Sequence, residues 1–78
     1  MIELIEYEDD TLTLDNLSER IHKLRKKKGL SLERLSKLAG VSPGAINKME
    51  RGERYPTTYV LLRTMDALGQ ELIMRDKR

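Results

Sequence analysis

Cysteine is absent from this 78-residue chain, and histidine occurs once, at position 22. Without thiols the chain forms no disulfide and no thiolate metal site, and His22 alone does not build a metal site. A domain of this length has a small core, and such domains often gain stability from disulfides, metals or association. The sequence therefore favours association, and a homodimer is the usual form.

Long apolar segments are also missing. No apolar run approaches the roughly 18–20 residues needed to cross a bilayer. The N-terminal sequence MIELIEYEDD is acidic, unlike the basic start of a secretory signal. We therefore expect a soluble, cytoplasmic protein that does not enter a membrane.

Catalytic sets are missing as well. The sequence contains no nucleophile–base set, no metal constellation and no phosphate-binding loop, and the chain is too short to enclose a pocket. We therefore expect a protein that is not an enzyme and holds no cofactor.

The charge is unevenly distributed. Residues 1–19 carry seven acids and no Lys or Arg, whereas residues 20–78 carry fifteen bases and six acids, a balance of +9. A basic body behind an acidic leader is typical of a protein that binds a polyanion. A solvated surface with a charged tail is the alternative, and charge alone does not choose between them.

Four segments show helical spacing of apolar residues, and each ends at a glycine. Asn16 and Glu19 fit a capping box before the first, Ser31 and Ser42 precede the next two, and Thr57 or Thr58 precedes the fourth. The residues predicted to face inward are Leu17, Ile21, Leu24, Leu32, Leu35, Leu38, Ala39, Ala45, Ile46, Met49, Leu61, Leu62, Met65 and Leu68. The spacing predicts an all-α fold.

The second and third helices are separated by a connection too short for antiparallel packing. Gly40 supplies a positive φ, Ser36 is small where the two axes approach, and apolar residues follow on the inner face. This combination predicts a helix-turn-helix, with residues 42–51 as the recognition helix.

The outer face of that recognition helix holds polar side chains suited to the major groove. Asn47 can pair with adenine, and Lys48 or Arg51 can reach the acceptors of guanine. We predict DNA base reading by Asn47 and Lys48, together with Ser42, Pro43 and Gly44.

These features lie in the stretch IHKLRKKKGLSLERLSKLAGVSPGAINKMERGERYPTTYVLLRTMDALG, and residues 17–69 resemble the Cro/CI-type (XRE) helix-turn-helix family. The resemblance implies a lambda-repressor-like fold of four or five helices, dimerisation, and repression at palindromic operators in double-stranded DNA. By position it implies an ion pair between Arg25 and Glu50. It also implies that four residues contact the DNA backbone, namely Arg25, Ser31, Arg51 and Arg54.

The recognition helix departs from the family pattern at two positions. Pro43 and Gly44 stand where many relatives have long hydrogen-bonding side chains, and neither can donate from a side chain. Pro43 could still touch a thymine methyl group. Base reading therefore falls mainly on Asn47 and Lys48, and DNA shape supplies part of the specificity.

The C-terminal segment 71–74 is short, apolar and flanked by charge, so it is interpreted as a strand. It resembles the tail of HipB-type antitoxins, which implies a strand paired across a dimer. A second copy would satisfy the backbone groups of a lone strand, with Leu72, Ile73 and Met74 as dimerisation residues. Pairing with residues 2–5 of the same chain is the alternative.

We divide the chain into an acidic arm (1–14), a helix-turn-helix domain (15–70) and a dimerisation tail (71–78). The predicted function is a homodimeric, sequence-specific repressor. Its narrower form is the autoregulating antitoxin of a toxin–antitoxin operon, with a HipA-like kinase as the toxin. The alternative is a protein-interaction module that neutralises or bridges a partner. His22 is interpreted as a solvated surface residue.

Overall fold

Four helices account for the regular structure of the computed structural model, which describes residues 11–74 and 76. They are α1 (Leu17–Lys27), α2 (Leu32–Ala39), α3 (Pro43–Glu50) and α4 (Thr58–Ala67). The all-α, four-helix prediction is confirmed, with no fifth helix in the described part of the chain. The predicted arm lies outside the described residues up to position 10. No described helix is long and apolar enough to cross a membrane.

The start of α1 is fixed by Thr13 and Asn16. The Thr13 N–H donates to Asn16 Oδ1 at 2.8 Å, and the Asn16 N–H donates to the Thr13 hydroxyl at 3.2 Å. The predicted box of Asn16 and Glu19 is therefore wrong, because the Asn16 side chain is bound to Thr13 and to the Thr11 carbonyl. Glu19 instead pairs with Lys23, one turn later, at 3.6 Å.

The other three helices begin at hydroxyl caps. In each case the side chain before the helix accepts a hydrogen bond from the backbone N–H three residues later: Ser31 from Arg34 at 3.0 Å, Ser42 from Ala45 at 3.1 Å, and Thr57 from Val60 at 3.1 Å. The predicted caps are confirmed, and Thr57 rather than Thr58 caps α4. Each cap of this kind contributes about 1 kcal/mol.

The core lies where the four helices meet, and α2 packs against both α3 and α4 while α1 packs against α3. Its buried cluster consists of Leu17, Ile21, Leu35, Ile46, Met49, Met65 and Leu68. Leu12, which precedes the first helix, also packs against this cluster. The core thus draws on all four helices and on the segment before them.

Two leucines predicted to face inward lie at the surface. Leu38 is 49% exposed and Leu62 is 50% exposed. In α2 the buried stripe runs through Leu35, Ser36 and Ala39, and Leu38 falls on its flank. A helix of eight residues that contacts two neighbours buries only a narrow stripe, and helical spacing alone does not show where that stripe ends.

The connection between α2 and α3 consists of residues 40–42. Gly40 has a φ of +72° and the N–H groups of Gly40 and Val41 both donate to the Ser36 carbonyl, at 2.8 and 3.1 Å. Ser36 itself is buried, and its hydroxyl donates to the Glu33 carbonyl at 2.7 Å. The backbone therefore closes α2 and opens α3 within three residues, as the helix-turn-helix requires.

The predicted C-terminal strand is not formed. Residues 70–74 have no regular secondary structure, and none of the residues described pairs as a strand. The physical reason is that a strand needs a neighbour for its backbone N–H and C=O groups, and one copy of the described chain supplies none at this place. The alternative partner at residues 2–5 lies outside the described part.

Candidate nucleic-acid interface

The helix α3 separates buried apolar residues from exposed polar ones. Ile46 and Met49 are buried in the core, whereas Lys48 and the residues at the helix start are exposed. Positions 43, 44, 47, 48 and 51 recur at spacings of three and four, so they share one side of the helix. The predicted base-reading residues are thus brought together on the face turned away from the core.

The side chains on that face differ in how many hydrogen bonds they can make. Lys48 is exposed and carries an ammonium group, and Asn47 is half-buried and carries both an amide donor and an acceptor. The Ser42 oxygen already accepts the capping hydrogen bond from Ala45, so its hydroxyl proton is what it offers outward. Pro43 provides only an apolar ring. Two side chains therefore carry most of the hydrogen-bonding capacity for bases.

The N-termini of α2 and α3 add anion-binding capacity. Ser31 begins α2 and Ser42 begins α3, and the first turns of both helices present backbone N–H groups with a partial positive charge. An open groove lies at the start of α2, lined by Arg25, Lys26, Gly29, Leu30, Ser31, Leu32 and Glu33. This surface has the chemistry that receives a phosphate.

A buried network joins α1 to the last residue of α3. The Arg25 Nε donates to Glu50 Oε2 at 2.7 Å, and Arg25 Nη2 donates to Glu50 Oε1 at 3.0 Å. Arg25 Nη1 donates to the Leu30 carbonyl at 2.8 Å, so all three nitrogens are engaged. The two side chains are only 8% and 5% exposed. The predicted ion pair is present, in a two-point form that also fixes its geometry.

The network perturbs the protonation of both partners. Burial of Glu50 acts to raise the pKa of its carboxyl group, but hydrogen bonds from Arg25 and His22 outweigh it, and the pKa lies below its ordinary value. The hydrogen bond to Glu50 raises the pKa of Arg25. Glu50 is therefore ionised at neutral pH, as a partner for a buried guanidinium must be.

The loop after α3 is basic and exposed. Arg51 and Arg54 both face solvent, and Arg51 Nη2 lies 2.7 Å from Glu53 Oε2. This pair is exposed and therefore exchanges readily with other partners. The loop places two guanidinium groups immediately after the outer face of α3.

Two residues of the site were missed by sequence reasoning. His22 lies at the surface, as predicted, and the sequence does not predict its contact with Glu50, in which its Nδ1 lies 2.8 Å from Oε1. Its position three residues before Arg25, on the same side of α1, was the available signal. The sequence also does not predict the role of Arg63, whose Nε donates to the Ala39 carbonyl at 2.7 Å. No local pattern links residues 24 positions apart, so the sequence held no signal for that contact.

The tail carries the predicted dimerisation residues at the surface. Leu72 is 39% exposed, Ile73 is 80% exposed and Met74 is 97% exposed.

Among the residues that the structure describes, no three carboxylate or imidazole groups are placed to hold a metal ion.

Comparisons with solved structures place this fold among transcription factors. An HTH_3 family transcriptional regulator from Vibrio cholerae matches with a TM-score of 0.69 and 33% identity, over 74% of this chain and 33% of that chain. The restriction-modification controller protein C.AhdI from Aeromonas hydrophila matches with a TM-score of 0.69 and 34% identity, over 74% of this chain and 88% of that one. The clp gene regulator ClgR from Corynebacterium glutamicum matches with a TM-score of 0.67 and 30% identity, over 78% of this chain and 65% of that one.

The chain spans about a third of the Vibrio protein that it matches. A comparison with curated protein sequences gives no match. The family model for the helix-turn-helix, HTH_3, matches residues 21–72, which include all of α2, α3 and α4 and most of α1. The chain therefore belongs to the HTH_3 (XRE-type) helix-turn-helix family of DNA-binding transcriptional regulators.

Proposed function

We propose that the chain is a sequence-specific DNA-binding repressor that places α3 in the major groove. The observation that carries this proposal is the two-sided character of α3, which follows a three-residue turn and has Ile46 and Met49 buried and Lys48 exposed. A helix held in this way can enter the groove, which is wide enough for one α-helix, without losing core contacts.

The related proteins support regulation of genes. The names of the relatives describe a transcriptional regulator, a restriction-modification controller and a regulator of the clp gene. Since they differ in what they control, the likeness supports a regulatory role and assigns no target gene.

Within this proposal, the residues of the interface have separate tasks. Asn47 and Lys48 read base edges, with Ser42, Pro43 and Gly44 approaching the bases closely enough for water-mediated and apolar contact. Ser31 offers its helix N-terminus to a phosphate, and Arg51 and Arg54 follow the backbone.

Arg25 is better suited to support than to contact with DNA. Its side chain is 8% exposed and its three nitrogens donate to Glu50 and Leu30. We therefore assign Arg25 to the attachment of α3 to α1. We assign the phosphate contacts to exposed basic side chains near Arg25, such as Lys26.

Two copies of the chain are expected to bind together. The apolar side chains of the tail are exposed, and their burial against a second copy would remove apolar area from water. Repressors with two-fold symmetry bind inverted repeats whose half-sites lie about 34 Å apart. The narrower antitoxin role rests on the likeness of the tail to HipB-type proteins and stays a prediction.

The test is selection of DNA duplexes from a random-sequence pool by the purified chain. We expect enrichment of one inverted repeat, which the chain then prefers to a shuffled duplex of equal composition. The affinity should fall steeply with salt, because bound Lys and Arg release counterions. The double variant K48E/R51E should lose the preference, whereas K23E, which alters an exposed ion pair on α1, should keep it. Failure to enrich any sequence contradicts the proposal.

A further inference from the structure

Arg63 of α4 reaches across to the turn that precedes the recognition helix. Its Nε donates to the carbonyl of Ala39, the last residue of α2, at 2.7 Å. Carbonyl groups in the last turn of a helix have no partner within the helix, and a cation at that end is favoured by the helix dipole. The contact thus satisfies a group that the turn itself leaves free, and it joins α4 to the helix-turn-helix.

The absence of a side chain at Gly40 makes room for this contact. A Cβ atom at Gly40 would lie 2.8 Å from Arg63 Nη2, so any other residue there displaces the guanidinium. Gly29 has nearly the same φ, +69° against +72°, but has open space around its Cβ position. The glycine at position 40 therefore allows the left-handed turn and also leaves space for the guanidinium group of Arg63, whereas Gly29 allows only the left-handed turn.

A tyrosine one turn earlier restricts the guanidinium further. The Arg63 Cζ atom lies over the ring of Tyr59, 5.9 Å from its centroid. A cation at this distance from an aromatic face is weakly attracted to it. The long side chain of Arg63 thus donates from its Nε to Ala39 and has its Cζ over the ring of Tyr59, while the missing side chain at Gly40 leaves room for its Nη2.

We propose that Arg63 is a positioning residue for DNA recognition, since it fixes the turn from which α3 departs. This inference rests on the proposed function. Only three residues separate α2 from α3, so a change at the Ala39 carbonyl moves the start of α3 and every side chain on its outer face. Glu50 holds the far end of α3 through Arg25, and Arg63 holds the near end through the turn.

The test separates the hydrogen bond of Arg63 from its charge. Glutamine carries its amide nitrogen the same number of bonds from the backbone as the Nε of arginine, so R63Q keeps a donor for Ala39 without the charge. R63L removes both. We expect R63L to lower the preference for the enriched duplex over the shuffled one about tenfold, as the loss of a charge-assisted hydrogen bond implies. R63Q should retain most of the preference.

Two further readouts separate positioning from a direct DNA contact. In both variants the affinity for the shuffled duplex and the slope of affinity against salt should equal those of the wild type, because a positioning residue neutralises no phosphate. If R63Q loses as much as R63L and the salt slope falls, Arg63 binds a phosphate and the proposal is overturned. If the wild type prefers the enriched duplex and R63L keeps all of that preference, the positioning role of Arg63 is wrong and the proposed function stands. If the wild type has no preference, the proposed function itself fails.

A second variant tests the proposal with Arg63 in place. G40A should displace the guanidinium and lower the preference, and G40A combined with R63L should lose no more than R63L alone. G69A carries the same backbone strain, at a φ of +73°, at the end of α4 and away from both Arg63 and the candidate interface, so it controls for the left-handed φ. A preference that falls equally in G69A and G40A contradicts the proposal. All comparisons are made at temperatures at which circular dichroism shows each variant folded.

Discussion

The Nδ1 atom of His22 lies 2.8 Å from Oε1 of Glu50, the same oxygen that accepts a hydrogen bond from Arg25 Nη2. An ionised carboxylate only accepts, so the proton in this contact belongs to His22. Two residues of α1, one turn apart, thus bind one carboxylate at the end of α3. The relative position of the two helices depends on that carboxylate.

Removal of the carboxylate should cost a large part of the stability. E50A leaves the buried guanidinium of Arg25 without its counter-ion, and we expect a loss of about 3 kcal/mol in the free energy of unfolding. Urea denaturation followed by circular dichroism measures it. E53Q is the matched control, because the Glu53 and Arg51 side chains are exposed, and it should change the free energy by less than about 1 kcal/mol. Equal losses in the two variants would contradict the buried network.

The network should also make stability depend on acid. Because the folded-state pKa of Glu50 lies below its ordinary value of 4.5, its contribution is present above pH 4.5 and is lost as pH falls through the lowered value. In that window the unfolded chain binds more protons than the folded one, so stability rises with pH. The measurement is the difference in unfolding free energy between the wild type and E50Q, which does not titrate. That difference should shrink below pH 4.5, and a constant difference would show that Glu50 is not the group responsible.

Replacement of Thr64 by valine should stabilise the fold. It is completely buried in α4, and its Oγ1 has no hydrogen-bond partner. T64V keeps the shape and removes an unsatisfied hydroxyl, so we expect a gain of about 1 kcal/mol in the free energy of unfolding. A higher midpoint in thermal or urea denaturation checks it.

The two threonines at the start of α4 provide controls with different expected results. T57V removes the cap that accepts from Val60 and should cost about 1 kcal/mol, whereas T58V, at an exposed position, should change little. If all three substitutions shift stability in the same direction, the change reflects valine in general and not the buried hydroxyl.

Base reading and backbone contact should separate in binding measurements. N47A should lower the preference for the enriched duplex by about 1–3 kcal/mol and leave the shuffled duplex unaffected. R54A should weaken binding to both duplexes alike and reduce the salt slope by about one. Fluorescence anisotropy at several salt concentrations measures both. A reversed pattern would exchange the roles of the two residues.

The tail should control association. We expect I73D/M74D to shift the chain from dimer to monomer in sedimentation velocity, because both side chains are highly exposed in the single copy. L38D/L62D places the same two charges on exposed leucines of α2 and α4 and is the matched control. Dissociation by L38D/L62D alone would move the interface from the tail to those helices.

Much of this fold was accessible from the sequence because its signals are local. Hydroxyl residues at 31, 42 and 57 precede apolar spacing, and glycines end each segment, so the helices could be located. The ion pair between Arg25 and Glu50 came from the family resemblance, and it is present.

The errors arise where a pattern has two local solutions or needs a distant partner. Asn16 can cap with Glu19 or with Thr13, and the second choice prevails because Asn16 also reaches the Thr11 carbonyl. Leu38 has helical spacing but lies beyond the width of the contact. The strand at 71–74 needs backbone partners that one copy does not supply, and Arg63 meets Ala39 only through the tertiary fold.

The attachment of α3 at both ends has a consequence for the evolution of new target sequences. Glu50 and the turn at Gly40 support the helix from behind, whereas positions 43, 44, 47 and 48 contribute nothing to the fully buried core. Substitutions at these four positions therefore leave the support intact and cost little stability. Such a chain can exchange one operator for another by small changes on a single face, and duplicated copies can diverge in target without having to refold.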